Sequence, residues 1–179
     1  MSIMSKHLWF SALVMPIAIL NGANAQEHAF GFGRTATKDE IVRADIDVRY
    51  DGLGLPVGQG TATEGKQTYY AKCVACHGAA LEGNKQLYIK PLKSDKRHAI
   101  NNRPFAPPIY AYIRRSMPLT EPGSLTNDEV YGLVAYLLQE TGIRDQSDEP
   151  LDANSLRRIR MPNRDNFVPE KNSGVTLPR

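Results

Sequence analysis

Cysteine is scarce in this 179-residue chain. There are two, beside four histidines and one tryptophan. That scarcity excludes a conventional structural zinc site, which needs four ligands. The chain offers neither a second C-x-x-C nor an H-x-x-x-H pair to complete one. A βαβ pattern is also missing, so a thioredoxin-like redox pair has no scaffold. Charge of one sign is lacking as well. Lys and Arg total 22 against 19 Asp and Glu, a formal +3, and this is no nucleic-acid footprint. There are no internal repeats; the amino-terminal apolar run is too short to span a bilayer comfortably, and no later segment could cross a membrane.

The amino-terminal run has a targeting pattern. Lys6 and His7 precede an apolar stretch from Leu8 to Leu20, broken by Ser11 and Pro16, and Ala23-Asn24-Ala25 follow. Basic start, short apolar stretch and small residues are what a signal peptidase reads. Residues 1–25 are therefore expected to be a signal peptide, with the mature chain starting at Gln26. The expected location is the periplasm, with no membrane span after cleavage.

The two cysteines stand together as Cys73-Val74-Ala75-Cys76-His77. This spacing lets two thiols add to the two vinyl groups of a haem while the adjacent histidine reaches the iron. One such motif implies one haem c, covalently attached through Cys73 and Cys76, with His77 as the proximal ligand.

Around the motif the chain divides into a leader, a helical domain and a tail. Residues 26–60 carry Gly31, Gly33, Gly52, Gly54, Gly58 and Gly60, which reads as an extended leader and not a helix. Phe30, Phe32, Ile46, Val48, Leu53 and Leu55 argue that part of it is docked. The domain is expected over 61–143. Thr61 with Glu64 is a capping-box pattern, opening a helix that delivers the cysteines at its end. Residues 78–103 form a polar, basic segment that wraps the haem edge. A second helix is expected from Pro107 to Arg115, ended by Ser116-Met117-Pro118. A third follows the Thr126/Glu129 box. It carries an apolar stripe of Val130, Leu133, Val134 and Leu137 and stops at Gly142. Residues 144–179 read as an extended tail.

The haem site needs further partners. The other ring nitrogen of His77 requires an acceptor to fix its orientation, and the carbonyl of Pro91 is the candidate. Met117, Met161, His28 and His98 are the residues able to take the sixth position. Met117 is favoured, because it lies beyond a helix and just before a proline, in a loop suited to folding over the opposite haem face. Arg114 and Arg115, with Tyr110 and Tyr112, are candidates for propionate contacts. With both axial positions filled, the expected job is electron transfer and not catalysis.

These residues resemble a class I cytochrome c over roughly Thr61 to Gly142, which implies an all-α fold. Gly65 and Tyr69 resemble the glycine and aromatic of that family's amino-terminal helix. Leu133-Val134-Ala135-Tyr136-Leu137 resembles the carboxy-terminal helix that it crosses. A narrower likeness covers most of the mature chain. Gly31-Phe32-Gly33-Arg34, Asp45-Ile46-Asp47-Val48 and Gly54-Leu55-Pro56 resemble the cytochrome subunits of sulfite and sulfane dehydrogenases. So do Tyr112-Ile113-Arg114-Arg115-Ser116-Met117-Pro118, Pro122-Gly123-Ser124-Leu125-Thr126, Asp128-Glu129-Val130-Tyr131 and Met161-Pro162-Asn163-Arg164-Asp165. The resemblance implies a molybdenum-cofactor dehydrogenase subunit as electron donor and a downstream cytochrome or oxidase as acceptor. Two departures stand out. Sulfane dehydrogenase cytochromes typically carry two haem domains, whereas this chain has one motif, as a mono-haem sulfite dehydrogenase subunit would. Arg103-Pro104-Phe105-Ala106-Pro107 also stands where relatives often have a tryptophan. Three alternatives stay open: a subunit of another dehydrogenase, a free shuttle cytochrome, and a haem sensor or peroxidase-like protein.

Overall fold

The Thr61 and Thr126 boxes both form. In each, the threonine Oγ1 accepts from the glutamate N–H at 3.2 Å and the glutamate carboxylate accepts from the threonine N–H at 2.8 Å. They open the two long helices of a computed structural model that describes residues 33–94 and 99–166. The chain divides into two units, Met1–Ala36 and Thr37–Arg179. Of the first unit only residues 33–36 are described, and they form neither helix nor strand. The expected signal peptide, Phe30, Phe32, His28, His98 and the end of the tail lie outside the described residues.

In the second unit the order is α1 (Lys38–Ala44), β1 (Gln59–Gly60), α2 (Ala62–Lys72), α3 (Val74–His77), α4 (Pro107–Ser116), α5 (Asn127–Glu140), β2 (Leu151–Asp152) and α6 (Ala153–Arg158). Single 3₁₀ turns lie at Ile100–Asn102 and Arg164–Asn166. The described residues are mostly helical, with one two-stranded antiparallel sheet pairing Gln59 with Asp152 and Gly60 with Leu151.

The main contact is α2 against α5. Gly65 and Gly132 meet there backbone to backbone. A Cβ added to Gly65 would fall 1.8 Å from the Gly132 carbonyl oxygen, so no side chain fits at that position. The stripe expected on α5 is present, but burial goes further, because every residue from Val130 to Leu138 is buried. A stripe serves a helix with one packed face. This helix is enclosed by α2, α4, both strands and the 3₁₀ turn at Ile100. Gly142, at φ +73°, ends the helix as its sequence position implies.

Two expectations about the flanks need correction. The leader contains a helix, α1, set by a complete capping box between Thr37 and Glu40. After it, the leader is pinned to α5. Tyr131 Oη donates to the Pro56 carbonyl at 2.7 Å, Asn127 Nδ2 to the Val57 carbonyl at 3.1 Å, and Gln59 N to Asp128 Oδ1 at 2.8 Å. The tail is likewise not simply extended. It supplies β2 and α6, and Leu151, Leu156 and Met161 are almost completely buried in the core. Asp152 caps α6 through Ser155. Leader and tail meet at Phe105, whose ring lies 5.2 Å from that of Tyr50, with the Arg164 guanidinium 4.9 Å from its centre.

Candidate haem site

The crossing of α2 and α5 fixes where α2 ends, and therefore where the cysteines sit. Cys73 closes α2, donating its N–H to the Tyr69 carbonyl at 2.8 Å. The chain then makes one further turn, α3. His77 N donates to Cys73 O at 3.0 Å, and Gly78, at φ +78°, donates back to Val74 O at 2.9 Å. Tyr69, 1% exposed, braces the turn by donating its hydroxyl to the Gly78 carbonyl at 2.6 Å. Burial pushes its phenol well above the ordinary range, so it acts as a permanent donor. The hydroxyl bond of Tyr69 is visible only in three dimensions.

The donor chemistry of this turn is specific. Both cysteines are free thiols, Cys73 half-buried and Cys76 exposed. Burial pushes the Cys73 thiol up to about 11, against a smaller opposing pull from Lys72. It therefore stays a thiol at neutral pH. His77 is half-buried, and burial lowers its pKa. Its imidazole is neutral at neutral pH, the form that binds a metal. Among the described residues no three His, Cys, Asp or Glu side chains converge as metal ligands.

Pro91 does not accept from His77. The histidine Nδ1 is buried and makes no hydrogen bond. The loop is nonetheless beside it: Gly83 N donates to the His77 carbonyl at 2.8 Å, and a Cβ on Gly83 would lie 2.9 Å from Pro91 N. The main chain after Pro91 is turned toward Leu81 instead, whose carbonyl takes the Leu92 N–H at 2.8 Å. Leu81 itself is 1% exposed at φ +63°, a conformation that nothing in its sequence context announces.

Met117 ends α4, donating its N–H to Ile113 O at 3.0 Å. It is partly buried, and it packs against the same apolar core as Cys73, Val74 and Leu92. Met161 is a core residue, 1% exposed, on the tail side of that cluster. Arg114 and Arg115 line a surface cleft with Ile46, Pro122 and Leu125, and exposed Arg115 stands 3.9 Å from Asp47 of the leader. Tyr110 is not a propionate donor here. It is fully buried, and its hydroxyl donates to Asn127 Oδ1 at 3.2 Å. Tyr112 is half exposed.

A half-buried, neutral imidazole whose Nδ1 has no partner, two free thiols beside it and a methionine on the same core suit a haem. Residues 60–137 match the family described as cytochrome c oxidase, cbb3-type, subunit III. The fold also superposes on a chain of the sulfane dehydrogenase SoxCD from Paracoccus pantotrophus. The TM-score is 0.69 at 30% identity, over 79% of this chain and 72% of that one. This chain belongs to the class I cytochrome c family. No curated protein matches it. Membership makes the cytochrome an electron-transfer protein of a haem c family. Among the described residues of the cytochrome, no helix is long and apolar enough to cross a membrane.

Proposed function

We propose that the cytochrome is an exported, periplasmic, mono-haem electron-transfer subunit. It accepts electrons from a molybdenum-cofactor dehydrogenase that oxidises sulfite or a related sulfur compound, and it passes them to a downstream cytochrome or oxidase. One observation carries this reading. The cytochrome family accounts for residues 60–137, yet the likeness to the sulfane dehydrogenase chain extends over 79% of the sequence. Cytochromes of many kinds share the haem domain. The folded leader and tail are the narrower signature.

The residues divide the work. Cys73 and Cys76 would hold one haem c through two thioethers, and His77 and Met117 would ligate its iron. When bound, the haem supplies a one-electron site. A thioether ligand favours its reduced state over what a second histidine would give. With His77 and Met117 holding the iron, this subunit would carry electrons, and sulfite oxidation would belong to the partner subunit. Sulfite oxidation releases two electrons, so two successive one-electron transfers through this subunit complete each turnover. Arg114 and Arg115, at the end of α4 next to Met117, are positioned to offset propionate charge.

Purification of the native complex tests the reading. The cytochrome should co-elute with a molybdenum protein, become reduced on adding sulfite, and start at Gln26. A cytochrome that elutes alone and stays oxidised with sulfite would sink it.

A further inference from the structure

The segment after the haem motif carries a feature that the haem site does not use. Residues 84–89 form a tight, closed turn. Asn84 and Ile89 exchange both backbone hydrogen bonds, at 2.9 and 2.8 Å. The Asn84 side chain accepts from Gln86 N at 3.0 Å and from Leu87 N at 3.2 Å. A turn braced this fully should bury its apolar residues or lack them. Instead it presents Leu87 at 54% exposure and Tyr88 at 92%.

Tyr88 also sits at φ +57°, a left-handed conformation that a bulky residue adopts only at a cost. Glycine would sit there without strain. A strained backbone holding an aromatic ring in water gains the fold nothing. The base of the turn is fixed to the haem motif through the bond from Gly83 to the His77 carbonyl.

Charge sets this segment apart as well. Residues 84–103 hold Lys85, Lys90, Lys93, Lys96, Arg97 and Arg103 against Asp95 alone. The stretch is therefore +5, while the whole chain is only +3, so the remainder is net acidic. Lys85, Lys90 and Lys93 are all exposed around the Leu87–Tyr88 tip.

We propose that Leu87 and Tyr88 form a prong that docks the downstream electron acceptor, a protein with an apolar hollow rimmed by acidic side chains. The lysines steer the encounter, and the apolar pair holds the complex. The turn is tied to the haem-bearing segment through the bond from Gly83 N to the His77 carbonyl, so docking there brings the acceptor up to that segment. The inference rests on the electron-transfer reading of the family and is independent of whether sulfite is the primary fuel.

The test bypasses the donor. Chemically reduced holo-cytochrome is mixed with membranes of the source organism, and its reoxidation is followed by haem absorbance across a range of salt concentrations. A neutral quinone oxidant serves as control. Leu87→Ser/Tyr88→Ser should slow reoxidation by membranes about tenfold or more, with the quinone rate unchanged. Lys85→Glu/Lys90→Glu should slow it at low salt and remove most of its salt dependence. Tyr88→Gly separates docking from folding: it should melt at or above the wild-type temperature and still transfer slowly. Val57→Ser, at a residue 95% exposed outside the turn, should behave as wild type. Wild-type rates in the prong variants would overturn the proposal. So would wild-type reoxidation that membranes do not accelerate or that salt does not affect. Failure of sulfite to reduce the native complex would leave this result standing.

Discussion

The closest approach in the molecule gives the sharpest prediction. Replacing Gly65 by alanine puts a methyl carbon 1.8 Å from Gly132 O and 2.1 Å from Gly132 C, where ordinary contact begins at 3.4 Å. The obstacle is backbone, so no rotamer change relieves it. The two helices must part locally by about 1.6 Å. A gap of that size forfeits much of the dispersion energy across the interface, and the overpacking cost falls at the upper end of its usual range, about 3 kcal/mol. Helix propensity returns about 1 kcal/mol, because alanine is favoured over glycine inside a helix. The net loss is about 2 kcal/mol, a fall of about 6 °C in melting temperature for a domain of this size. Gly132→Ala is the matched control. Its new methyl meets nothing nearer than 3.0 Å, so the neighbours give by a few tenths of an ångström. The propensity gain then nearly cancels the cost, and the melting temperature should stay within about 2 °C of wild type. Thermal unfolding of the oxidised holo-cytochrome by circular dichroism reads both. A Gly65→Ala protein that melts with wild type, or a Gly132→Ala protein that melts lower than it, refutes the reasoning.

Other outcomes follow from the same structure. Leu156→Ala removes a fully buried side chain of the tail and should cost about 2–5 kcal/mol, measured by denaturant unfolding; a near-neutral result would mean that the tail does not share the core. Met117→Ala should lower the reduction potential, abolish the methionine–iron charge-transfer band of the ferric protein and allow carbon monoxide to bind; unchanged spectra would assign the sixth ligand elsewhere. The hydrogen bond from Lys72 to Glu129, at 2.6 Å, is the largest cause holding that carboxyl below its ordinary value of 4.5. A depressed carboxyl stabilises the fold above its unfolded pKa, and the benefit is lost as pH falls through the folded pKa. Glu129→Gln should therefore flatten the loss of stability below about pH 4.5, read as urea midpoints across that range; an unchanged acid limb would show that the pair is idle.

The elements that local chemistry specifies were legible in the chain. Thr61/Glu64 and Thr126/Glu129 place two helix starts to the residue, and the spacing of Cys73, Cys76 and His77 carries the site chemistry. The leader helix obeys the same rule, through Thr37 and Glu40, but its signal stands among six glycines and was outweighed by them. The tail was illegible for a different reason. Leu151, Leu156 and Met161 follow neither a period of 2 nor one of 3.6, because each fills a separate hole left by other elements. Tertiary context also decides the all-round burial of α5, since a stripe announces one packed face and says nothing of partners that arrive from distant parts of the chain. The His77–Pro91 pairing belongs to this class too: proximity of the Pro91 loop is foreseeable, but His77 Nδ1 makes no hydrogen bond.

The pairing of Gln59–Gly60 with Leu151–Asp152 has a bearing on how the protein is made. A chain synthesised from its amino end exposes the C-x-x-C-H segment long before Leu151, Leu156 and Met161 exist. Until those three arrive the interior stays unsealed and one strand of the clasp lacks its mate. The order of residues therefore makes the strand clasp and its three buried side chains the last part of the domain to be completed.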